Sequence, residues 1–356
     1  MRPVINPALR ILWRSASSVQ LGVDPRHRLV LEGLTPHGET VLGLLDGTRD
    51  VDGVVTAAAA LGVSPADAEA LIALLLHHGA LEDAAIAASL PARARDRLLG
   101  ELAELSLVAA PGGAASALDA RRRATVLLVG CGRLGTAVAA LLAAGGVGRL
   151  LLRDEHDVLP SDVAPGVAFD GVLGLPRAVA AARVASGAGE IDADAAVRRP
   201  TPADCTEADL AVVAGDLHAA ADAPLVALLA GVGIPWLLTG VRETVGVVGP
   251  LVRPGRTACP RCLDLARADR DPTWPAVAAQ LAAARDRRAE SGSAALVTMV
   301  AALAAAEAMS MIGGPHPPQC YDATLEVRAP DWSVRRRAWQ PHPSCRCVTD
   351  QDAIAG

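Results

Sequence analysis

An apolar run, Val126-Leu127-Leu128-Val129, enters the glycine turn Gly130-Cys131-Gly132-Arg133-Leu134-Gly135, and an Ala/Leu-rich helical stretch, Thr136 to Ala144, leaves it. Strand, tight turn and helix in that order open a parallel α/β layer. The alternation continues. Arg149 to Arg153 and Leu210 to Val213 read as strands, the latter ending at Gly215-Asp216. Pro224 to Gly233 reads as a helix and Pro235 to Leu238 as the next strand. The fold class expected from this pattern is α/β, with a mostly parallel sheet and right-handed crossovers.

The turn itself is a dinucleotide-type fingerprint of the Rossmann kind. Gly130 permits the tight bend, Gly132 lets backbone approach a phosphate, and Gly135 lets the helix pack closely. The helix N-terminus favours an anion. Asp154 follows at the end of the second strand, where an acidic residue meets ribose hydroxyls. Arg133 either fills the phosphate space or assists with its charge. A Rossmann-like fold that holds no ligand is the alternative.

Downstream lie two cysteine pairs, Cys259-x-x-Cys262 and Cys345-x-Cys347; the second follows a strand pair read at Thr324 to Arg328 and Val334 to Trp339. Four thiolates close a tetrahedral zinc site with no open position, so such a site is structural. His342 could replace one ligand, and redox pairing is the competing reading. Cys131, Cys205 and Cys320 read as ordinary buried thiols.

All 33 Lys+Arg residues are Arg, so no mechanism here can use a lysine ammonium. The chain has one Phe and one Tyr, and its core must be aliphatic. A net charge of −6 gives no reason to expect nucleic-acid binding. Met1 to Arg14 lacks the apolar run of a signal peptide, and the apolar stretch Ala294 to Ile312 carries Glu307 and reads as a buried helix. A cytoplasmic protein with no membrane partner is expected, where paired cysteines point to metal more than to disulfides.

Residues 1–86 form a separate unit. Ile11-Leu12-Trp13, Val19-Gln20-Leu21 and Arg28 to Leu31 read as strands, and three helices follow. The first starts at Thr35-Pro36, the second runs from Asp50 to Leu61, and the third starts at Ser64-Pro65 and closes at Gly79. Residues 87–123, Ala- and Arg-rich with a break at Pro111-Gly112-Gly113, read as a linker with helical parts, and 124–356 as the α/β domain.

The blocks TVLLVGCGRLGTAVAALLAAGGVGRLLLRDE, Val212 to Asp216, Gly240-Val241-Arg242 with Gly246 and Gly249, PGRTACPRCLDL and HPSCRC resemble the ThiF-like family, relatives of ubiquitin-activating enzymes. The resemblance implies a homodimeric α/β core that adenylates a carboxyl terminus with Mg-ATP, Asp216 being the aspartate associated with magnesium. It also implies departures. Asp154 and Ser161 match the family pattern, but Asp162 stands for its Asn, Pro165 for its phosphate-contacting Arg, Gly166 for its Gln and Leu175 for its Lys. Losing those cations removes the charge that stabilises a transferring phosphate. Arg133 and Arg177 are the cations left to substitute, and no catalytic residue is assigned.

Residues 1–86 resemble the PqqD-like fold, the peptide-recognition element of ribosomal peptide maturation, winged-helix in shape. In that family a leader peptide adds beside the third strand and packs on the third helix. The corresponding positions are Arg28, Leu29, Val30 and Leu31, with Leu71, Leu74, Leu75 and His78 on the helix. The fusion is similar to the ThiF-like proteins of azole and thiopeptide biosynthesis, which present a precursor peptide to a YcaO-type cyclodehydratase. That implies a leader-binding protein; the alternatives are an adenylyltransferase acting on a peptide or sulfur-carrier C-terminus, and an NAD-binding oxidoreductase.

Overall fold

A computed structural model describes residues 1–34, 36–85, 92–109, 113–163, 170–215, 223–283 and 292–349. The chain divides into two compact units, Met1–Asp119 and Ala120–Gly356.

In the first unit β1 (Pro3–Ile5) is antiparallel to β5 (Leu81–Asp83), and β2 (Ile11–Ser15), β3 (Ser18–Leu21) and β4 (Leu29–Glu32) form an antiparallel sheet with β3 in the middle. Helices α1 (Pro36–Leu44), α2 (Val51–Ala60) and α3 (Pro65–His77) follow. Local chemistry sets their ends. Asp50 and Ser64 cap α2 and α3 by accepting from the amides of Gly53 and Asp67. Gly79, at φ +66°, takes the left-handed turn after α3. Thr35, the expected cap of α1, lies outside the described residues. One core gathers Val19, Leu21 and Leu31 of the sheet with Val54, Ile72 and Leu75 of the helices. Where the sequence suggested a linker, two helices stand, α4 (Ala92–Val108) and α5 (Gly113–Arg123). They share an apolar seam of their own through Leu98, Leu102, Leu105 and Leu118. Asn6, fully buried, donates from Nδ2 to Ser106 Oγ of α4 at 2.6 Å.

The second unit is built on an eight-stranded sheet in the order β13-β12-β11-β10-β9-β6-β7-β8. The ranges are β6 Thr125–Val129, β7 Arg149–Arg153, β8 Asp192–Ala196, β9 Leu210–Gly215, β10 Trp236–Arg242, β11 Val245–Val252, β12 Ala323–Arg328 and β13 Ser333–Ala338. Strands β6 to β10 are parallel and β11 to β13 extend the sheet antiparallel. Period-two alternation splits each central strand between two cores. Leu128, Leu150 and Leu152 face α6 (Arg133–Ala144), α7 (Arg177–Ala188) and α12 (Ala294–Gly313). Leu127, Leu151 and Trp236 face α8 (Pro202–Glu207), α9 (Ala223–Val232) and α10 (Pro260–Ala268). α11 (Trp274–Ala283) follows α10, and α13 (Arg346–Thr349) follows the sheet.

Helix α12 is long and apolar enough to cross a membrane by composition. Its Leu296, Val297, Val300, Ala304 and Ala308 are buried in the first of these cores, and Glu307 accepts from the amide of Cys320 at 2.8 Å.

Candidate functional site

The glycine turn joins β6 to α6 at the carboxyl end of the parallel strands. Gly130 holds φ +89°, and a Cβ there would stand 2.0 Å from the carbonyl oxygen of Ala214 on β9. A Cβ on Gly135 would stand 1.9 Å from the Gly130 oxygen. Neither position admits a side chain. Gly132 is the N-cap of α6 and has no side chain to cap it.

Asp154, at the end of β7, is buried, and its carboxylate is already engaged. Oδ2 accepts from the amide of Cys131 at 2.7 Å, and Oδ1 accepts from the amide of His156 at 2.9 Å. His156 Nδ1 lies 2.9 Å from the same Oδ1. Asp216 lies outside the described residues, as do Pro165 and Gly166.

The family's cation positions are changed or paired among the described residues. Leu175 packs with Val158, Val172 and Ala180 in a small apolar cluster. Arg177 pairs with Asp162 through Nε at 2.8 Å and Nη2 at 3.0 Å. Arg133 donates from Nη2 to the carbonyl of Gly292 at 2.6 Å. Both guanidiniums that the sequence offered as substitutes thus have partners in the protein, Arg177 a carboxylate that offsets its charge and Arg133 a backbone carbonyl.

The four cysteines of the two pairs converge. Their sulfur atoms all lie within 4.8 Å of one another, with Cys259–Cys262 at 3.8 Å, Cys259–Cys345 at 3.7 Å and Cys262–Cys347 at 3.3 Å. Bonds of about 2.3 Å to one tetrahedral ion place sulfurs about 3.8 Å apart, whereas a disulfide needs about 2.05 Å. The thiols are free, three of them buried and Cys347 half-buried. The donor set suits a thiolate-binding ion such as Zn(II). Cys259 is the N-cap of α10 and Cys262 sits in its first turn, where the helix dipole favours thiolate. Cys262 is pushed down to about 4, chiefly by the hydrogen bond from the Cys259 thiol. Burial pushes Cys347 up to about 12.

The sequence offered His342 as a replacement ligand, and the geometry corrects this. Nε2 lies 2.9 Å from Asp269 Oδ2, and Nδ1 accepts from the amide of Ser344 at 3.1 Å. Both ring nitrogens are used in holding the loop that carries Cys345, so His342 is not a ligand. Cys131, Cys205 and Cys320 are buried thiols outside the cluster.

The family model described as the ThiF family matches residues 104–347. The chain belongs to the ThiF family. No curated protein matches it. Among solved structures it is similar to E. coli MccB with ATP, at TM-score 0.70 and 17% identity, over 97% of this chain and 99% of that one. The microcin C7 biosynthetic enzyme MccB in complex with N-formylated MccA gives TM-score 0.69 and 17% identity, over 98% of this chain and 100% of that one. PaaA gives TM-score 0.69 and 18% identity, over 94% and 99%. At these identities the likeness is one of fold.

Within this ThiF-family chain a second feature lies beside the cysteines. A cleft of about 90 Å³ opens between β10 to β12 and helices α10 and α11, with Leu238, Val247 and Leu263 as apolar wall. Arg267 crosses it, its guanidinium 5.1 Å from the Trp274 ring and 5.4 Å from the Trp339 ring, and bonded to Asp264 at 2.9 Å. Burial pulls the Arg267 pKa down. Arg242 lines the same cleft.

In the first unit β4 is an outer strand, so its far edge has no strand partner among the described residues. Arg28, Leu74 and His78 are exposed, and Leu29, Val30 and Leu71 are half-buried. Leu31 and Leu75, at 6% and 0% exposure, belong to the core. They brace the surface proposed for a peptide and cannot line it.

Sequence reading passed over Trp274 and gave His156 and Arg242 no role of their own. A lone histidine beside an expected aspartate carries no spacing signal of its own. The cleft is assembled from strands and helices far apart in the chain, which no local pattern announces.

Proposed function

We propose that this chain binds the leader of a ribosomally made precursor peptide and presents the peptide to a partner enzyme of the YcaO cyclodehydratase type, without independent catalysis. The observation that carries the reading is the state of two positions beside the glycine turn among the described residues. Leu175 fills an apolar cluster where the family has Lys, and Arg177 is spent on Asp162. Phosphoryl transfer is mostly positioning and charge stabilisation, and these two positions supply less of the second.

Peptide binding is supported by the open edge of β4, where an extended segment gains main-chain hydrogen bonds, and by the exposed Leu74 on α3. The neighbours of like fold include MccB solved with its peptide MccA. The cleft at Arg242 offers an apolar wall and a cation to the presented part of the peptide. In this reading Cys259, Cys262, Cys345 and Cys347 hold a zinc ion that fixes the end of the sheet, and the protein works as a homodimer. The test is direct binding of a labelled leader peptide, taken from a short reading frame neighbouring this one, alongside ATP–pyrophosphate exchange. Tight binding with no exchange supports the proposal; exchange by the purified chain without a helper rejects it.

A second reading is favoured by one observation. The glycine turn is sterically intact at Gly130 and Gly135, and the chain is aligned with MccB over nearly its whole length. On that reading it adenylates a peptide or sulfur-carrier C-terminus with Mg-ATP, Asp216 serving the magnesium, and exchange would depend on Asp216.

A further inference from the structure

In a glycine-turn site the acidic residue ending the second strand accepts hydrogen bonds from ribose hydroxyls. Asp154 stands at that position but has little left to offer. Its side chain is 4% exposed. A carboxylate accepts about four hydrogen bonds, and three places are taken by the Cys131 amide, the His156 amide and His156 Nδ1.

The same contacts fix the imidazole. A carboxylate is an acceptor only, so the ring nitrogen facing it must carry the proton, and Nδ1 donates to Oδ1. In the neutral ring the other nitrogen, Nε2, is then a lone-pair acceptor. It has no partner among the described residues, and the side chain is 68% exposed. The ring is joined to the turn by a chain of hydrogen bonds, His156 to Asp154 to Cys131. It therefore stands at the carboxyl end of the parallel strands, where open α/β sheets receive ligands.

We propose that sugar recognition in this chain has passed from Asp154 to His156: Nε2 accepts the hydroxyl of a ribonucleoside seated on the glycine turn, and Asp154 is the positioning residue that holds the imidazole. The ligand class is a ribonucleoside with its vicinal diol intact. Among the described residues, Leu175 and the pairing of Arg177 with Asp162 weaken the phosphate side of the site. The inference rests on the turn still accepting a nucleoside and is independent of leader binding.

The test is calorimetric titration of the full chain with adenosine, 2′-deoxyadenosine and 3′-deoxyadenosine. The unchanged chain is expected to bind adenosine roughly fivefold to tenfold tighter than at least one deoxy analogue, the worth of one hydrogen bond. His156→Ala should bind all three alike, at the strength of the weaker analogue. Asp154→Asn, which no longer fixes the tautomer, should lose most of the preference, and His156→Gln, which keeps an acceptor, should recover part of it. Melting curves establish that each variant is folded. No adenosine binding by the folded chain, equal binding of all three by it, or a preference that survives in His156→Ala would each overturn the proposal. Leader-peptide binding measured on the same samples reports separately on the function proposed above.

Discussion

On the function proposed above, Leu175 is a single residue that sets this chain apart from the family's pattern. The position belongs to a cluster with Val158, Val172 and Ala180. Restoring the family residue should not restore the reaction. Leu175→Lys is expected to lose about 2 kcal/mol of stability, since it removes apolar packing and brings an ammonium against aliphatic side chains. Pyrophosphate exchange should stay absent; a variant as stable as the parent that gained exchange would show the pocket needs only this cation. The cysteines give a second contrast at this scale. Cys259→Ser should abolish bound zinc in elemental analysis, because three remaining thiols leave the tetrahedron open. Unchanged metal content would reject the site. Leu74 and Leu75 are adjacent, yet one is 42% exposed and the other fully buried. Leu74→Asp should keep the circular dichroism of the parent and weaken leader binding, while Leu75→Asp should unfold the first unit.

At the scale of elements, the junction of β7, β8 and α8 is locked by charge. Arg153, 2% exposed at the end of β7, donates from Nη2 to Asp204 at 2.6 Å and to Asp194 at 2.8 Å. Asp204 also caps α8 through Thr201 and pairs with Arg198. Burial alone would raise the Asp204 pKa, but the hydrogen bonds from Arg198, Arg153 and Thr201 outweigh it and hold the carboxyl far below the usual range. A depressed carboxyl pKa stabilises the fold above the unfolded value of about 3.9, and that contribution fades as pH falls through the folded one. Asp204→Asn should therefore lose about 3 kcal/mol at pH 7 by leaving Arg153 short of a buried partner. In urea melts the gap to the parent should narrow as pH is lowered below about 4; a constant gap would place the effect in packing. The elements themselves were legible to different degrees. Glycine-closed and Ser- or Asp-capped helices, and the apolar strands β6, β7 and β9, declared themselves in sequence. Strand β8 did not, because DADAA has no apolar run. Strand β11 was hidden by Gly249-Pro250 in its interior. Pairing explains how the proline is carried: the ladder to β12 ends at Val248, and the register to β10 shifts between Leu237 and Thr239. Pro250 thus sits at a bulge, where a missing amide leaves no ladder bond unmade. The cysteine cluster was readable as two spaced pairs, whereas the cleft and the engagement of Asp154 needed the folded chain.

On the scale of the whole molecule the two units have separate cores. The first rests on Val19, Leu21 and Leu75 and the second on the two faces of the eight-stranded sheet. The cysteine cluster belongs to the second alone. Its four members come from the segments that leave β11 and β13, so an ion bound there would tie residues 85 and 86 positions apart in the chain. Closing so long a loop removes entropy from the unfolded ensemble, and the bonds favour the folded state alone. An ion present at a thousand times its dissociation constant stabilises by about 4 kcal/mol. For a unit of this size that corresponds to a shift on the order of 10 °C. Calorimetry should therefore resolve two unfolding transitions, and a zinc chelator should lower the one belonging to the sheet while leaving the other in place. Added zinc should reverse the shift, and Cys259→Ser should melt at the chelated position with no response to either reagent. A single transition that moves as a whole would mean the two cores unfold as one cooperative body. A second transition unmoved by chelator in the parent chain would mean that the four sulfurs hold their places without an ion.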